Sequence, residues 1–314
     1  MDARERFSEF LTGQGYTGGV PAAFFQHFGP GIRHGQAALE AQLDFFEATG
    51  MDMLKIMFDD IYPQIPGIHS PADWARIPTF RRSDPVFTQQ IDLARQVVER
   101  AGKKAYVFQT IFTPYVSAGC SVSGLVDWDE TISPHLLLDP EAVCAGLQNI
   151  CGVLAGFAQD LAATGIDGFY VSVQGGERAR YPRSFFRQWL KPIDLAFLNA
   201  LRSTGKLVFI HFCGVGMRLE EYLDYPGDVV NLAVHGNGVS LAGAAGLFRR
   251  PVMGGLDNTG VICTGTSAQI RAEVERTLRA APAGVMLGAD CTIPREVPAE
   301  HLRWAVEAAH AFRG

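Results

Sequence analysis

The chain has 314 residues, of which 47% are hydrophobic and 19% are charged, and its formal net charge is -6. This composition is typical of a folded globular protein and excludes a disordered or low-complexity chain. Lysine and arginine are scattered, so the sequence offers no basic face of the kind that neutralises phosphates, and we expect no nucleic-acid partner.

The amino-terminal segment MDARERFSEFLTGQG is charged and amphipathic, and no apolar run approaches the roughly 18 residues that cross a bilayer. We therefore expect a cytoplasmic protein with no membrane partner. The six cysteines have neither the density nor the regular spacing of a disulfide scaffold. We expect most of them to be reduced.

Apolar runs alternate with segments of helical periodicity along the whole chain. Helices are predicted over residues 3–11, 37–49, 85–101, 140–164, 182–204, 267–281 and 298–312. Strands are predicted over residues 20–25, 51–58, 104–112, 168–174, 207–214, 228–234, 250–256 and 284–291.

Strands that are apolar throughout and followed by helices indicate a parallel sheet covered by helices, and eight such repeats close a (β/α)8 TIM barrel. We predict one such α/β domain over residues 1–314, with a short N-terminal helical extension. An open doubly wound sheet is the alternative, but no GxGxxG motif opens a helix after the first strand.

Residues 113–134 form a long connection rich in Ser, Gly and Thr. Connections of this length in a folded domain are usually binding loops or lids. Its Tyr115 and Trp128 would either cover a ligand or pack the loop itself.

The fifth predicted strand ends in the sequence FIHFCG, which contains His211 and Cys213. Residues two apart on a strand point to the same side, so these two side chains can act as a pair of zinc ligands. Cys291, at the end of the eighth predicted strand, is a third candidate. One imidazole and two thiolates leave a fourth position of zinc open for chemistry. The alternative is that these are ordinary buried residues, since HxC is a short motif.

Polar residues follow nearly every predicted strand, where the active site of a barrel lies. They are His27, Asp59, Asp60, Gln109, Glu177, His211, Cys213, His235, Asp257, Asn258, Asp290 and Cys291. Glu177, on a glycine-rich loop, would be either a labile fourth ligand or a partner of Arg178 or Arg180.

Charge balance suggests the reaction. Zinc with two thiolates and a neutral imidazole sums to zero, so an incoming thiol is deprotonated at neutral pH and yet remains nucleophilic. This ligand set suits attack on a methyl group better than activation of water for hydrolysis.

Three stretches, FIHFCG (209–214), VMGGLDN (252–258) and GADCTIPREVPAEHLRWAVEAA (288–309), resemble the uroporphyrinogen decarboxylase superfamily. Within it, the chain is most similar to the zinc-dependent, cobamide-linked methyltransferases, which methylate thiols such as coenzyme M. The resemblance implies that His211, Cys213 and Cys291 bind zinc. No DxHxxG corrinoid-binding motif occurs, so we expect any corrinoid to arrive on a separate protein.

The superfamily also contains metal-free decarboxylases of porphyrinogens, which are the first alternative. Their arginine-bearing MRQAGR segment is replaced here by AFFQHFGPG, although Asp59 or Asp60 falls where they keep a central aspartate. The folate-dependent, cobalamin-independent methionine synthases are the second alternative. Those enzymes use an additional glutamate, and His235 lies in that neighbourhood here.

The sequence therefore predicts a zinc methyltransferase with a small-molecule substrate, acting between a corrinoid protein or another methyl donor and a thiol or similar acceptor. We expect Asp59, Glu177, His235 and Asp257 to be its catalytic residues, which shape the pocket or balance its protons.

Overall fold

Seven parallel strands form one curled sheet in the computed structural model, which describes residues 1–13 and 16–313. Each strand pairs with the next along the chain. The strands are β1 Met53–Ile56, β2 Tyr106–Phe112, β3 Gly168–Val173, β4 Leu207–Phe212, β5 Val229–Leu232, β6 Val252–Leu256 and β7 Val285–Ala289. Almost every strand residue is buried, as expected for a parallel sheet covered on both faces.

Helices fill the connections between the strands. They are α1 Ala3–Thr12, α2 Gly35–Thr49, α3 Pro71–Trp74, α4 Pro85–Ala101, α5 Pro114–Ser123, α6 Asp129–Leu138, α7 Pro140–Ala162, α8 Arg183–Phe185, α9 Lys191–Arg202, α10 Val234–Asn237, α11 Leu241–Phe248, α12 Val261–Thr264, α13 Ser267–Ala280 and α14 Ala299–Ala311. A π-helical turn, Phe186–Leu190, joins α8 to α9. The predicted N-terminal helix is confirmed as α1, which begins at a capping box of Asp2 and Glu5.

The prediction of eight regular strands is wrong for the first of them, residues 20–25. Within the described residues this segment makes one isolated parallel bridge, between Ala22 and Leu287. The N–H of Leu287 donates to the carbonyl of Pro21 at 2.9 Å, and Ala23 N–H donates to the carbonyl of Leu287 at 3.1 Å. Pro21 has no N–H to donate, so the segment does not extend into a regular ladder. Within the described residues the sheet therefore has seven regular strands, and a full eight-stranded barrel is not shown.

The predicted loop 113–134 is also different in the structure, because helix α5 and the start of helix α6 occupy most of it. Pro114 lies in the first turn of α5, where a proline without an N–H is tolerated. Tyr115 is buried and donates to or accepts from the hydroxyls of Ser133 and Tyr181, both at 2.8 Å. Tyr115 therefore packs this helical insertion, which is one of the two alternatives predicted for it.

Helix α7 is long and apolar enough to cross a membrane by length and composition alone. In the fold it packs against helices α3, α5, α6 and α9. Its buried residues lie on one face, at Val143, Leu147, Ile150, Leu154 and Phe157. This spacing is that of a helix with one side against a protein core.

Asp52, just before β1, connects three parts of the chain at the amino-terminal edge of the sheet. Its buried carboxylate accepts hydrogen bonds from Arg6 Nε at 2.7 Å, the Ala22 N–H at 2.8 Å and His310 Nε2 at 2.7 Å. These partners belong to α1, to the irregular segment and to α14. One carboxylate therefore joins both ends of the chain to the sheet.

We predict that Asp52→Ala lowers the free energy of unfolding by about 2–4 kcal/mol, because it removes the fully buried carboxylate that pairs with the partly buried Arg6 guanidinium and also binds Ala22 and His310. Urea unfolding measures the change. The matched control is Asp92→Ala, which removes an exposed ion pair with Arg95 and should change stability by less than about 1 kcal/mol. Equal effects of the two substitutions would contradict the role assigned to Asp52.

Candidate metal centre

The three predicted ligands come together at the carboxyl ends of β4 and β7. His211 lies on β4, and Cys213 follows the strand, its N–H donating to the carbonyl of Val173 at 3.0 Å. Cys291 lies just beyond the end of β7. All three side chains line one cavity, so a molecule in that cavity can reach them.

The distances within this cluster fit a tetrahedral zinc ion. The two sulfur atoms of Cys213 and Cys291 are 3.9 Å apart, and Cys291 Sγ is 3.7 Å from His211 Nε2. Zinc–ligand bonds of ~2.3 Å to sulfur and ~2.0 Å to nitrogen place tetrahedral ligand atoms about 3.5–3.8 Å apart. All three ligand atoms lie within 4.8 Å of one another. Both cysteines are free thiols, far from the ~2.05 Å of a disulfide bond.

Asn231, on β5, determines which nitrogen of His211 faces the cysteines. Its Nδ2 donates to the carbonyls of Met253 at 3.0 Å and Ala289 at 3.3 Å, so its Oδ1 must point the other way. That oxygen accepts from Tyr170 OH at 2.7 Å and lies 2.5 Å from His211 Nδ1. His211 Nδ1 is therefore the protonated nitrogen, and Nε2 offers its lone pair to a metal.

A hydrogen bond from the Cys213 thiol to Cys291 holds the pKa of Cys291 well below its usual range. The same bond, together with burial, raises the pKa of Cys213. One thiolate of the pair is thus favoured near neutral pH. Thiolate is the form of cysteine that binds zinc.

The cavity above this cluster has a volume of about 200 Å³. Polar and apolar side chains both line it. The residues that line it are Phe25, His27, Lys55, Met57, Thr110, Phe112, Val116, Leu125, Val126, Trp128, Tyr170, Ser172, Gln174, His211, Cys213, Cys291 and Thr292. Trp128 lines the cavity and also packs edge-on against Tyr115, with ring centroids 5.1 Å apart. Whether it covers a ligand stays a prediction.

Asp59, predicted to be catalytic, supports a histidine that lines the cavity. Its Oδ1 accepts from His27 Nδ1 at 2.7 Å, and its side chain is nearly buried. Because the Asp59 carboxylate can only accept, the proton of a neutral His27 ring lies on Nδ1, and Nε2 keeps its lone pair. The sequence placed His27 at a strand end but did not indicate that Asp59 acts through it.

Glu177, His235 and Asp257 are not among the described residues that line the cavity. Glu177 accepts from the Gly175 N–H and from Arg180 Nε, both at 2.9 Å, so the ion-pair alternative is the one observed. Asp257 closes a turn by accepting from the N–H and hydroxyl of Thr259.

His235 is held by Asp290, the residue before Cys291, and is not among the described residues that line the cavity. Its Nδ1 is 3.0 Å from Asp290 Oδ2, and the same carboxylate accepts from the N–H groups of Val234 and His235. Burial raises the pKa of Asp290. Because Asp290 precedes Cys291, these bonds hold the backbone that carries the third ligand.

Lys55, on β1, is a site residue that the sequence analysis missed. It is 8% exposed, and its Nζ lies 4.4 Å from the ring centroids of both Phe25 and Tyr170. Burial lowers the pKa of Lys55 to about 8, while Cys291, Asp59 and Cys213 act to raise it. The sequence signal that could have identified Lys55 is a lysine inside the apolar run MDMLKIMF. Asn231, inside the apolar run DVVNLAV, gives the same kind of signal.

We predict that Asn231→Leu weakens zinc binding about 10- to 100-fold, because His211 loses the partner that fixes its tautomer and ring orientation. Competition with a chromophoric chelator measures the dissociation constant. The control is Tyr170→Phe, which removes one hydrogen bond to Asn231 and leaves its contact with His211. An unchanged constant in Asn231→Leu would show that the amide does not orient the ligand.

We predict that Lys55→Met stabilises the metal-free protein by about 3 kcal/mol at pH 7, because burial lowers the pKa of this lysine from 10.5 to about 8. The folded chain loses this proton near pH 8 and the unfolded chain near 10.5. The unfolded state therefore binds more protons in that window, and wild-type stability rises towards that of the variant. Urea unfolding at pH 7 and pH 10 tests this, and a less stable variant at pH 7 would contradict it.

Comparison with known proteins supplies the family. The uroporphyrinogen decarboxylase (URO-D) family model matches residues 45–312. No curated protein sequence matches the chain.

Solved structures share the fold at low sequence identity. A methyltransferase from Methanosarcina mazei is 16% identical, with 98% of each chain covered and a TM-score of 0.74. A B12-independent methionine synthase from Shewanella sp. W3-18-1 is 14% identical, with 94% of each chain covered and a TM-score of 0.58. A putative vitamin-B12-independent methionine synthase from Listeria monocytogenes is also 14% identical, covers 88% of this chain and 86% of its own, and has a TM-score of 0.53. Because the family model spans most of the sequence, the chain belongs to the uroporphyrinogen decarboxylase family.

Proposed function

We propose that this protein is a zinc-dependent methyltransferase that moves a methyl group from a donor to a small thiol. The observation that carries the proposal is the cluster of His211 Nε2, Cys213 Sγ and Cys291 Sγ at one end of a cavity. Three protein ligands with a cavity above them are the pattern of a catalytic zinc site, whereas structural zinc sites are closed by four.

The donor set suits thiol chemistry. Two thiolates and a neutral imidazole balance the charge of a zinc ion, and the bound ion would keep an acceptor thiol deprotonated and nucleophilic. In the transfer, a sulfur–carbon bond forms while the bond between the methyl group and its donor breaks, and the donor keeps the electron pair. The proton released by the thiol must be accepted by a nearby base.

His27 is the base that we assign to this proton. It lines the cavity, and Asp59 fixes its Nδ1 as the protonated nitrogen, so Nε2 is free to accept. Asp59 is then a positioning residue. We assign positioning roles to Glu177, His235 and Asp257 as well, since each holds a loop that follows a strand of the sheet.

The similar structures agree with methyl transfer. The Methanosarcina mazei protein is named a methyltransferase and the Shewanella protein a methionine synthase. We expect the methyl donor to be a separate corrinoid protein, as inferred from the sequence, and we keep the expectations of a cytoplasmic protein without nucleic-acid or membrane partners.

Porphyrinogen decarboxylation is less well supported. A cavity of about 200 Å³ is smaller than the ~300–1,000 Å³ typical of drug-sized ligands, and a porphyrinogen is larger than those. The arginine-bearing segment of the decarboxylases is also missing from residues 20–31. Formation of coproporphyrinogen from uroporphyrinogen by the purified protein would favour this alternative.

We expect about one zinc ion per chain in protein purified without an affinity tag or added metal, measured by atomic emission. Cys291→Ser should lose it, because a hydroxyl is a poor replacement for a thiolate ligand. Cys151→Ser is the matched control, since Cys151 is a free cysteine on α7 outside the cluster. A wild-type protein that stays free of zinc after reduction and reconstitution would refute the proposal.

We also expect the zinc-loaded protein to transfer the methyl group of methylcobalamin to small thiols. The loss of the methylcobalamin absorbance measures the rate. His27→Gln should lower the rate about 10²- to 10⁴-fold, the usual contribution of a general base, with zinc content unchanged. Raising the pH should restore part of this loss, because more of the free thiol is then ionised. A rate that does not depend on His27 would assign the proton to another acceptor.

A further inference from the structure

We propose that Trp128 limits the size of the molecule that can enter the cavity above the metal cluster, and that Arg180 is the positioning residue that holds its indole ring. Trp128 lines the cavity, whereas Arg180 is not among the described residues that line it. The inference rests on the proposed methyltransferase function, for which it names a residue that selects acceptor thiols by size.

The indole ring of Trp128, which is 9% exposed, is held by three neighbours. The guanidinium carbon of Arg180 lies over the ring, 5.0 Å from its centroid, and the Tyr115 ring meets it edge-on at 5.1 Å. Gly119, on α5, provides the third contact, because a Cβ there would lie 2.2 Å from the Trp128 carbonyl oxygen and 2.8 Å from its ring. Helix α5 therefore packs directly against the residue that precedes α6.

Arg180 connects two segments of the chain that meet at this ring. Within the loop that follows β3, its Nε donates to Glu177 at 2.9 Å. On α6, its Nη1 donates to Ser133 at 3.2 Å and also to Asp129. A planar guanidinium can make these bonds with its edge while its face stacks on an aromatic ring. One arginine therefore fixes the start of α6, and with it Trp128, to the end of the sheet.

Neutralising the two carboxylates is the simpler role for Arg180. A cation beside either carboxylate would serve that role, and it does not require a guanidinium over an indole. The stacked arrangement is what a positioning role requires, because the attraction between a cation and the face of a ring favours one orientation of the ring. Positioning therefore accounts for the ion pairs and for the stacking together.

The connection before Trp128 forms the mouth of the cavity. Val126 lines the cavity and yet is 88% exposed, so the cavity opens to solvent beside it. Gly124, after α5, has a φ of +86°, and no atom lies within 4 Å of the position that a Cβ would take. The turn at the mouth is thus exposed, whereas Trp128 beside it is fixed. A molecule too bulky for a cavity of about 200 Å³ has to displace the indole, and Arg180 opposes this.

Fluorine NMR of the protein labelled with 5-fluorotryptophan tests the positioning role. The chain has four tryptophans, and the spectrum of Trp128→Phe identifies the signal of Trp128. We expect Arg180→Ala to move or broaden this signal more than the other three. Arg180→Lys keeps a cation but loses the fork of donors, so it should give a smaller change, and it replaces the alanine variant if that variant does not fold.

Arg178→Ala is the matched control for these spectra. It removes an exposed arginine of the same loop, whose partner Glu220 is 3.7 Å away, and it should leave the Trp128 signal unchanged. A Trp128 signal that is the same in the Arg180 variants and in the wild type would overturn the positioning role.

Isothermal titration of the zinc-loaded protein with two neutral thiols tests the size limit. The small probe is 2-mercaptoethanol, and the bulky probe is 1-thio-β-D-glucose. We expect Trp128→Ala to raise the affinity for the bulky thiol relative to the small one about 10-fold, the lower end of what a pocket gains by excluding extra volume. Arg180→Ala should act in the same direction by a smaller factor. An unchanged ratio in Trp128→Ala would overturn the size limit and leave the thiol site intact.

If neither thiol binds to the wild type, the methyltransferase proposal fails, and the size limit is judged without it. Cys291 lines the same cavity, so its alkylation in the metal-free protein reports access. Iodoacetamide is the small reagent and N-phenylmaleimide the bulky one, and mass spectrometry locates the modified residue. A relative rate for the bulky reagent that rises in Trp128→Ala would support the size limit, and an unchanged relative rate would overturn it.

Discussion

The side chain of Asn231, on β5, forms hydrogen bonds with residues of four other strands. The candidate metal centre depends on these bonds. It hydrogen-bonds to Tyr170 on β3, His211 on β4, Met253 on β6 and Ala289 on β7. All its hydrogen-bonding groups are used, and donors and acceptors cannot be exchanged without breaking two bonds to carbonyls. One amide therefore holds the strands that carry His211 and Cys291 together and selects the nitrogen that faces the cysteines.

Residues whose role follows from periodicity were predictable from the sequence. The alternation of side chains along a strand placed His211 and Cys213 on one side, and the common edge of a parallel sheet placed Cys291 beside them. Seven strands were located for the same reason, since they are apolar throughout. The segment 20–25 is also apolar, but Pro21 limits its pairing because proline has no N–H to donate. A hydropathy pattern does not show a missing N–H.

Residues whose role depends on a distant partner were not predictable. Nearby partners were easier to foresee: the pairing of Glu177 with Arg180 was one of the two alternatives predicted, although the contact of Asp257 with Thr259 was not. Lys55 and Asn231 are polar residues inside apolar runs, a signal that marks them as unusual without saying what they contact. The contacts of Asn231 come from residues 20–61 positions away along the chain.

Asp52, just before β1, and Lys55, within β1, lie three residues apart. They illustrate how neighbouring charged residues serve different purposes in this fold. Asp52 is a buried charge with three hydrogen-bond partners, so it stabilises the structure. Lys55 is a buried charge with no hydrogen-bond partner in the described chain, so its burial lowers the stability of the structure. In parallel α/β folds the amino-terminal edge usually serves stability and the carboxyl-terminal edge serves the active site. Lys55 lies on the side of the sheet that carries the candidate metal centre, and it lines the same cavity.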